Sequence, residues 1–595
     1  MKKLAYIGGI VIAGLLGSCD EYLEAPTKSS LDESIIFSTP DLAKGAVDGI
    51  KVPFAETNSY RGRFLPWYGM NTDAEWYHSS ENVGNGQADL VVYAAEANNN
   101  QMNTENNAWA KMYEGIERAN LSIKGLRTYG NPEPGTELGY LLGEALTLRA
   151  VIYSDLVKAW GDVVARFEPI TTETVYLEKS SRDVIYKQLL ADLAEASELV
   201  PWPNETAPTS NVERINKAFV KALRARVALV AGGFSQYPDG IRRSTDPDLT
   251  VEKMYTLAHQ ECLSIINSGT VRLEDSFETI WRKLAEENIS AGGESLWEIP
   301  FAAGRGRVYF TFAVRHRNVN QYTGQARGGQ AGPVPNLFYD YAAEDIRRDI
   351  TCVPYEWNAT AAPESKAFQE LSSSNRWQFG KFRYEWMNRR VTSTNDDGIN
   401  QLYMRYAEVV LMAAETANEL EGPGAAAPFL KMIRARAFDP ADHAEQVDGY
   451  VAGLTSKEAM FNAIVEEHKL EFAGEMVRKQ ALIRWNLLKT KLDETKERLY
   501  DLRARTGEYV DVPETVYYEY EEDGEALVFY GLNRGEDEDK SGEFDFNTDW
   551  ALADQLTDSK IEAIYARDPD KYQFWPIWQF FIDSSNGKLK NDYGY

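Results

Sequence analysis

Five histidines, at positions 78, 259, 316, 443 and 468, are all the imidazoles of this chain, and their spacing does not suit joint metal ligation. The nucleophile elbow Gly-x-Ser-x-Gly, the phosphate loop Gly-x4-Gly-Lys-Ser/Thr and the zinc motif His-Glu-x-x-His are absent. A carboxylate pair for glycoside hydrolysis meets in space and not in sequence, so the 91 acidic residues single out no pair. What the pattern does offer is recognition. Around Asp73, two aromatic pairs stand close together, Trp67-Tyr68 and Trp76-Tyr77. Flat rings cover the apolar face of a sugar while a carboxylate accepts from its hydroxyls. Tyr309 and Tyr322, from a later irregular stretch, are candidates for the same work. The competing reading for each of these residues is packing against the scaffold.

A second pattern suggests a cation. Asp537, Asp539 and Ser541 take positions 1, 3 and 5 of a calcium loop, Gly542 takes the sharp turn at 6, and Asp545 falls at 9. Position 12 is Thr548, where a bidentate Glu belongs. Calcium is therefore a possible ligand here, and a solvated acidic loop is the plainer reading. Otherwise the sequence implies no cofactor.

The elements that must position these residues are mostly helical. Leu138, Leu141, Leu142, Ala145, Leu148, Ile152, Leu156 and Ala159 recur at steps of three and four, ending at Trp160-Gly161. Further helices are predicted over 181–199, 216–229, 255–266, 402–420, 427–437, 455–472 and 476–488. Short turns join them in pairs, the pattern of tetratricopeptide hairpins, without one fixed period. Three irregular stretches interrupt the helices: 54–104, 286–400 and the acidic 516–547. Within them 308–314 reads as a strand. Residues 516–520 and 526–530 read as a β-hairpin about Asp523-Gly524. The fold class is thus mainly α, a tetratricopeptide-like scaffold carrying irregular loop and short β-hairpin insertions.

Composition narrows the partners. The net charge of −28 repels phosphate backbones, so nucleic acid is not an expected ligand. Aromatics make up 12% of the chain, with 33 Tyr and 14 Trp, which suits sugar stacking and core filling alike. Lys2-Lys3, an apolar run from Leu4 to Leu16, and Leu16-Gly17-Ser18-Cys19 read as a lipoprotein signal over 1–18, with Cys19 as the lipidated residue. No later stretch is continuously apolar, so the mature chain is expected to be globular and tethered. Cys262 and Cys352 leave one disulfide open.

Several motifs carry a resemblance. Leu148-Arg149-Ala150-Val151-Ile152-Tyr153 leading to Trp160-Gly161-Asp162-Val163, and Met404-Arg405-Tyr406-Ala407-Glu408-Val409-Val410-Leu411-Met412, resemble runs of the SusD/RagB-like outer-membrane lipoproteins. So do Trp575-Pro576-Ile577 and the closing Leu589-Lys590-Asn591-Asp592-Tyr593-Gly594-Tyr595. The chain departs from the family pattern at Glu467-His468-Lys469 and at Arg478-Lys479-Gln480-Ala481, which lack a usual Arg and Asp. The resemblance divides the chain into 1–18, 19–285 and 286–595. It implies a non-enzymatic surface lipoprotein, anchored in the outer membrane and facing the cell exterior. Such a protein binds an oligosaccharide and passes it to a SusC-like TonB-dependent transporter. It also places the ligand between the early and middle insertions. Peptide capture, a surface glycoside hydrolase, and a structural lipoprotein with no small ligand are the alternatives. For Arg405 and Glu408 the expected role is buried polar pairing between helices.

Overall fold

The computed structural model describes residues 32–55, 60, 64–84, 86–103, 107–361, 364–393 and 396–595. The signal segment and Cys19 lie outside them. Ten helices carry the scaffold: α1 (Ala108–Gly125), α2 (Glu137–Trp160), α3 (Arg182–Leu199), α4 (Lys217–Gly232), α5 (Val251–Ser268), α6 (Tyr406–Leu420), α7 (Pro423–Ala437), α8 (Lys457–Phe472), α9 (Arg478–Arg484) and α10 (Leu488–Ala504). From α1 to α7 each helix packs on the next, and α8 packs on α6. This is a stack of helical hairpins, and the chain is mainly α.

Local sequence sets the boundaries. Thr136, Ser181, Asn216, Thr250 and Ser456 each accept a backbone N–H of the first turn of α2, α3, α4, α5 and α8 through their side chains. Each such cap contributes about 1 kcal/mol. Gly269 ends α5 in the left-handed region, at φ +62°, where a side chain would strain. The alanines at 218, 222, 225 and 228 are buried on α4, which lets its neighbours approach closely.

α5 and α6 are neighbours in space although residues 269–405 separate them. That excursion is the middle insertion. It leaves and returns through β2 (Ser295–Ile299) and β6 (Gln401–Arg405), which pair antiparallel beneath the helices. The predicted helix over 402–420 is therefore corrected: its first four residues are strand. Arg405 has extended backbone, and the Tyr406 N–H donates to Glu294, so the helix starts only at Tyr406. The predicted strand 308–314 is corrected too. Val308–Phe312 forms one helical turn, with the Phe310 N–H donating to the Asp397 carboxylate. The helix predicted over 476–488 divides at Asn486, which takes φ +59°, into α9 and the start of α10.

Seven further strands matter for the site. β1 (Glu75–Tyr77) pairs with β3 (Ala331–Pro333), so the early and middle insertions do meet. β4 (Tyr355–Ala359) and β5 (Ala367–Leu371) form a hairpin. β7 (Thr515–Tyr520) pairs with β8 (Leu527–Tyr530), as the Asp523-Gly524 turn predicts, and also with β9 (Phe546–Asp549), which the sequence did not announce. One apolar core runs from Phe37 to Trp578 through both halves of the chain. Cys262 and Cys352 are both buried and both free, so they do not pair.

A buried ionic web ties α7 and α8 to the middle insertion. The Arg405 guanidinium reaches the carboxylates of Glu294, Glu471 and Glu475 at 2.7, 2.5 and 2.7 Å. Arg347 joins Asp345, Glu467 and Glu471, while Arg436 joins Glu294 and Glu471. Burial works against the charge on Glu471, but Arg436, Arg405 and Arg347 hold its carboxyl well below the usual range. Glu408 pairs with Arg226 of α4, a helix–helix contact as expected.

Candidate functional site

The residues proposed from sequence meet different fates. Trp67, Tyr68, Asp73 and Trp76 are buried, and their assignment to the ligand surface is corrected. Trp67 packs edge-on against Tyr77 at 5.1 Å. Tyr68 packs on Trp575 at 5.5 Å, with the Lys479 ammonium 4.4 Å from its ring. Asp73 accepts two hydrogen bonds from Arg478, at 2.8 and 2.6 Å, so its oxygens are already engaged. Trp76 is fully covered, with the Lys560 ammonium 4.6 Å from its ring. The physical reason is the C-terminal segment, which lies across this region. Trp575 donates to the Leu90 carbonyl, and Asn71 donates to the carbonyls of Ala563 and Ile564. Tyr309 is likewise buried, between Phe382 and Tyr384. Tyr77 and Tyr322 are half-buried, and they sit on different neighbours: Trp67 for one, His316 and Trp357 for the other. The proposed residues therefore do not assemble into one site.

The early segment has a consequence for stability. Burial pushes the Glu75 carboxyl up to about 8, against the Gly474 amide, Lys381 and Arg478, which favour its charge; Asp73 adds to the rise. Between about 4.5 and 8 the folded carboxyl keeps a proton that the unfolded chain releases, so this group lowers stability as pH climbs through that window. Glu75→Gln is expected to melt above the parent at pH 8, with the gain fading to nothing below pH 4.5. Thermal melts from pH 4 to 8 check this; a gain independent of pH would contradict it.

A calcium ion held by Asp537, Asp539, Ser541 and Asp545 is a reading of the sequence alone; among the described residues no three of His, Cys, Asp and Glu form a group that could hold a metal ion. Asp539 instead accepts from the Ser541 amide and the Tyr517 hydroxyl, which draws its carboxyl below the usual value. Lys540 pairs with Glu538 and Glu543.

An open aromatic surface does exist, on the sheet that the same acidic segment forms. Side chains alternate along β7, so Val516, Tyr518 and Tyr520 share one face. The register sets Phe529 of β8 and Phe546 of β9 directly opposite Tyr518. Three rings thus lie in a row across three strands, about 4.8 Å from strand to strand. Tyr518 and Phe546 stack at 5.3 Å with planes 21° apart, and Tyr520 stands edge-on to Phe546 at 6.2 Å. Phe546 is 44% exposed, so this ridge faces water. The ridge continues onto β5, where Phe368 meets Tyr520 at 6.4 Å. At its other flank Phe529 shares the Trp357 cluster with Tyr322, which places one sequence-derived candidate at the border.

A polar shoulder accompanies the ridge. Phe368 and Glu370 share a face of β5, while Ala367 and Gln369 point inward and are buried. The Glu370 carboxylate accepts from Asn358 at 2.9 Å and from Arg317 at 3.0 Å, and Asn358 accepts from Asn318 at 2.5 Å. Gln369 fastens the two parts together: its carbonyl accepts from the Tyr520 hydroxyl and its side-chain oxygen from the Leu527 amide. Exposed rings beside a chain of amides and a carboxylate can hold a polyhydroxylated ring by its apolar face and its hydroxyls together. The legible signal for this site was the hairpin about Asp523-Gly524; what lay outside sequence reasoning was its register and β9, which supplies Phe546.

A cleft of about 680 Å³ lies elsewhere, between Pro40, Tyr140, Pro201 and Arg214. Its aromatic Tyr140 is only 6% exposed, and Arg214 is tied to Asp48 and Glu144. It therefore offers little ring surface.

Comparison with known proteins agrees with this architecture. Residues 55–229 match a family described as starch-binding and associating with the outer membrane. The SusD-like proteins P2 and P25 of Formosa agariphila are 25% and 23% identical to this chain, over 80% and 79% of it and 90% and 88% of their own lengths. Among solved structures, a SusD homolog from Bacteroides thetaiotaomicron superposes with a TM-score of 0.72 at 18% identity, covering 96% of this chain and 99% of that one. Surface glycan-binding protein A from the same organism, in complex with laminarihexaose, gives 0.62 at 18% identity, covering 93% and 99%. Among the described residues no helix is long and apolar enough to cross a membrane. Residues 297–595, half of the chain, match the SusD family, and this chain belongs to it.

Proposed function

We propose that this protein is an outer-membrane, cell-surface lipoprotein, anchored through Cys19, that binds oligosaccharides without cleaving them and passes them to a SusC-like TonB-dependent transporter. The observation that carries the binding half is the row of half-buried Phe529 and Tyr518 and exposed Phe546, with Phe368, Tyr520 and the Asn318–Asn358–Glu370 shoulder beside it. A laminarihexaose complex of a protein with this fold, and a family description that names starch and the outer membrane, support the reading. The transporter half rests on the family resemblance.

The test is a panel of plant, host and microbial polysaccharides in native affinity gels of the detergent-solubilised chain, with chromatography for products. Phe368→Ala with Phe546→Ala is expected to lose about 2 kcal/mol or more of binding, roughly 30-fold, while the folded chain melts close to the parent. Retardation that survives this double change would move the site off the ridge. Released products would make the protein a hydrolase. Silence on every glycan together with peptide binding would put peptide capture in its place. Co-purification of a transporter of the TonB-dependent kind with the wild-type chain is expected, and its absence from a folded preparation would count against delivery.

A further inference from the structure

We infer that the ridge is selective for uncharged glycans and turns away chains that carry sulfate or uronate groups; this rests on the glycan-binding reading above. Two independent observations carry it. The first is the field around the rings. Between Thr515 and Asp549 the sequence places twelve carboxylates against two cations, Arg534 and Lys540. Glu521, Glu522, Asp545 and Asp549 on this segment are exposed, and they stand on or next to the strands that bear Tyr518, Tyr520 and Phe546. Over the span of one short sheet these charges lie near the roughly 8 Å screening length of physiological salt, so an anionic ligand meets their sum.

The second is the state of the cations that border the rings. A sulfate or carboxylate needs a donor with charge to spare, most effectively a guanidinium with a free fork. Arg317, on the polar shoulder, already serves Glu356 at 2.5 Å and Glu370 at 3.0 Å. Lys366, at the head of β5, pairs with Glu525 at 3.1 Å. On the sheet segment Lys540 pairs with Glu538 and Glu543, and Arg534 faces Glu508 at 3.6 Å. These four cations are occupied by the protein's own acids. What the ridge presents to a ligand is ring faces, amide groups and carboxylate oxygens, a set that accepts hydroxyls and offers no counter-charge.

The experiment pairs each neutral polysaccharide of the panel with a chemically sulfated form of the same backbone, run against the full chain in affinity gels and by calorimetry at about 0.05 and 0.5 M NaCl. For the backbone that binds, the sulfated form is expected to be weaker by about tenfold or more at low salt, with the gap closing as salt screens the field. The quadruple variant Glu521→Gln, Glu522→Gln, Asp545→Asn, Asp549→Asn is expected to recover part of the sulfated ligand's affinity and to leave the neutral ligand's unchanged. A sulfated form that binds as tightly as its parent, or a gap that salt and the quadruple variant do not move, would overturn the selectivity and leave glycan binding standing. Binding of neither form would overturn the glycan-binding reading itself, and the selectivity with it.

Discussion

Trp76→Ala is expected to unfold this protein, and not to weaken a binding surface. The Trp76 side chain is wholly buried beneath the C-terminal segment, on a strand that ties the early insertion to the middle one. Truncating a buried Trp leaves a cavity and forfeits its transfer energy, a loss of about 3–5 kcal/mol. That is a large share of the roughly 5–15 kcal/mol that holds a typical domain together. The expected result is a sharply lower melting temperature and a poor soluble yield, with any surviving folded fraction binding ligand as the parent does. Trp67→Ala is expected to behave similarly, since Trp67 is 2% exposed. Calorimetric melts beside affinity gels decide the matter: a variant that melts like the parent yet fails to bind would return Trp76 to the ligand surface.

The second large effect is expected at Arg405. It is buried, and three carboxylates, those of Glu294, Glu471 and Glu475, converge on its guanidinium. Arg405→Met fits the space but strands those charges, with only Arg436, Arg347 and Lys381 left to answer them. Breaking a buried pair from one side costs about 3–5 kcal/mol, because the remaining partner stays desolvated. Adding Glu471→Gln to the same chain should recover part of the loss, since it removes one of the stranded charges. A melting point within about 2 °C of the parent for the single change would show that the web carries little weight.

Both sites explain what the sequence disclosed and what it withheld. The helices were legible because their signals are local. Caps such as Thr136 and Asn216, stops such as Gly269, and apolar steps of three and four act within one or two turns. The β7–β8 hairpin was legible for the same reason, as its turn and both strands lie within sixteen residues of one another. The aromatic pairs around Asp73 carried the right residue types for a sugar, and their burial depends on Trp575 and Ala563, some five hundred residues away. No local pattern distinguishes a ring that will be covered from one that will not. Phe546 escaped notice because an acidic run of low periodicity reads as loop until a partner strand gives it a face. The split of the 402–420 stripe at Arg405 was hidden too, since strand and helix both tolerate that residue until β2 supplies the pairing.

The adjacency of α5 and α6 across residues 269–405 also bears on how the chain reaches its native state. Contacts among α1 to α5 are made between near neighbours in sequence, and such contacts form fast. The apolar side of α5 that faces α6, by contrast, stays open until a long excursion has been drawn in. Closing a loop grows dearer only with the logarithm of its length, about 0.6 kcal/mol per doubling, so the excursion is a delay more than a thermodynamic burden. Refolding should accordingly show two kinetic phases, an early one in the first five helices and a late one that seats α6, with the interval between them the period when the chain is most prone to associate with other copies of itself.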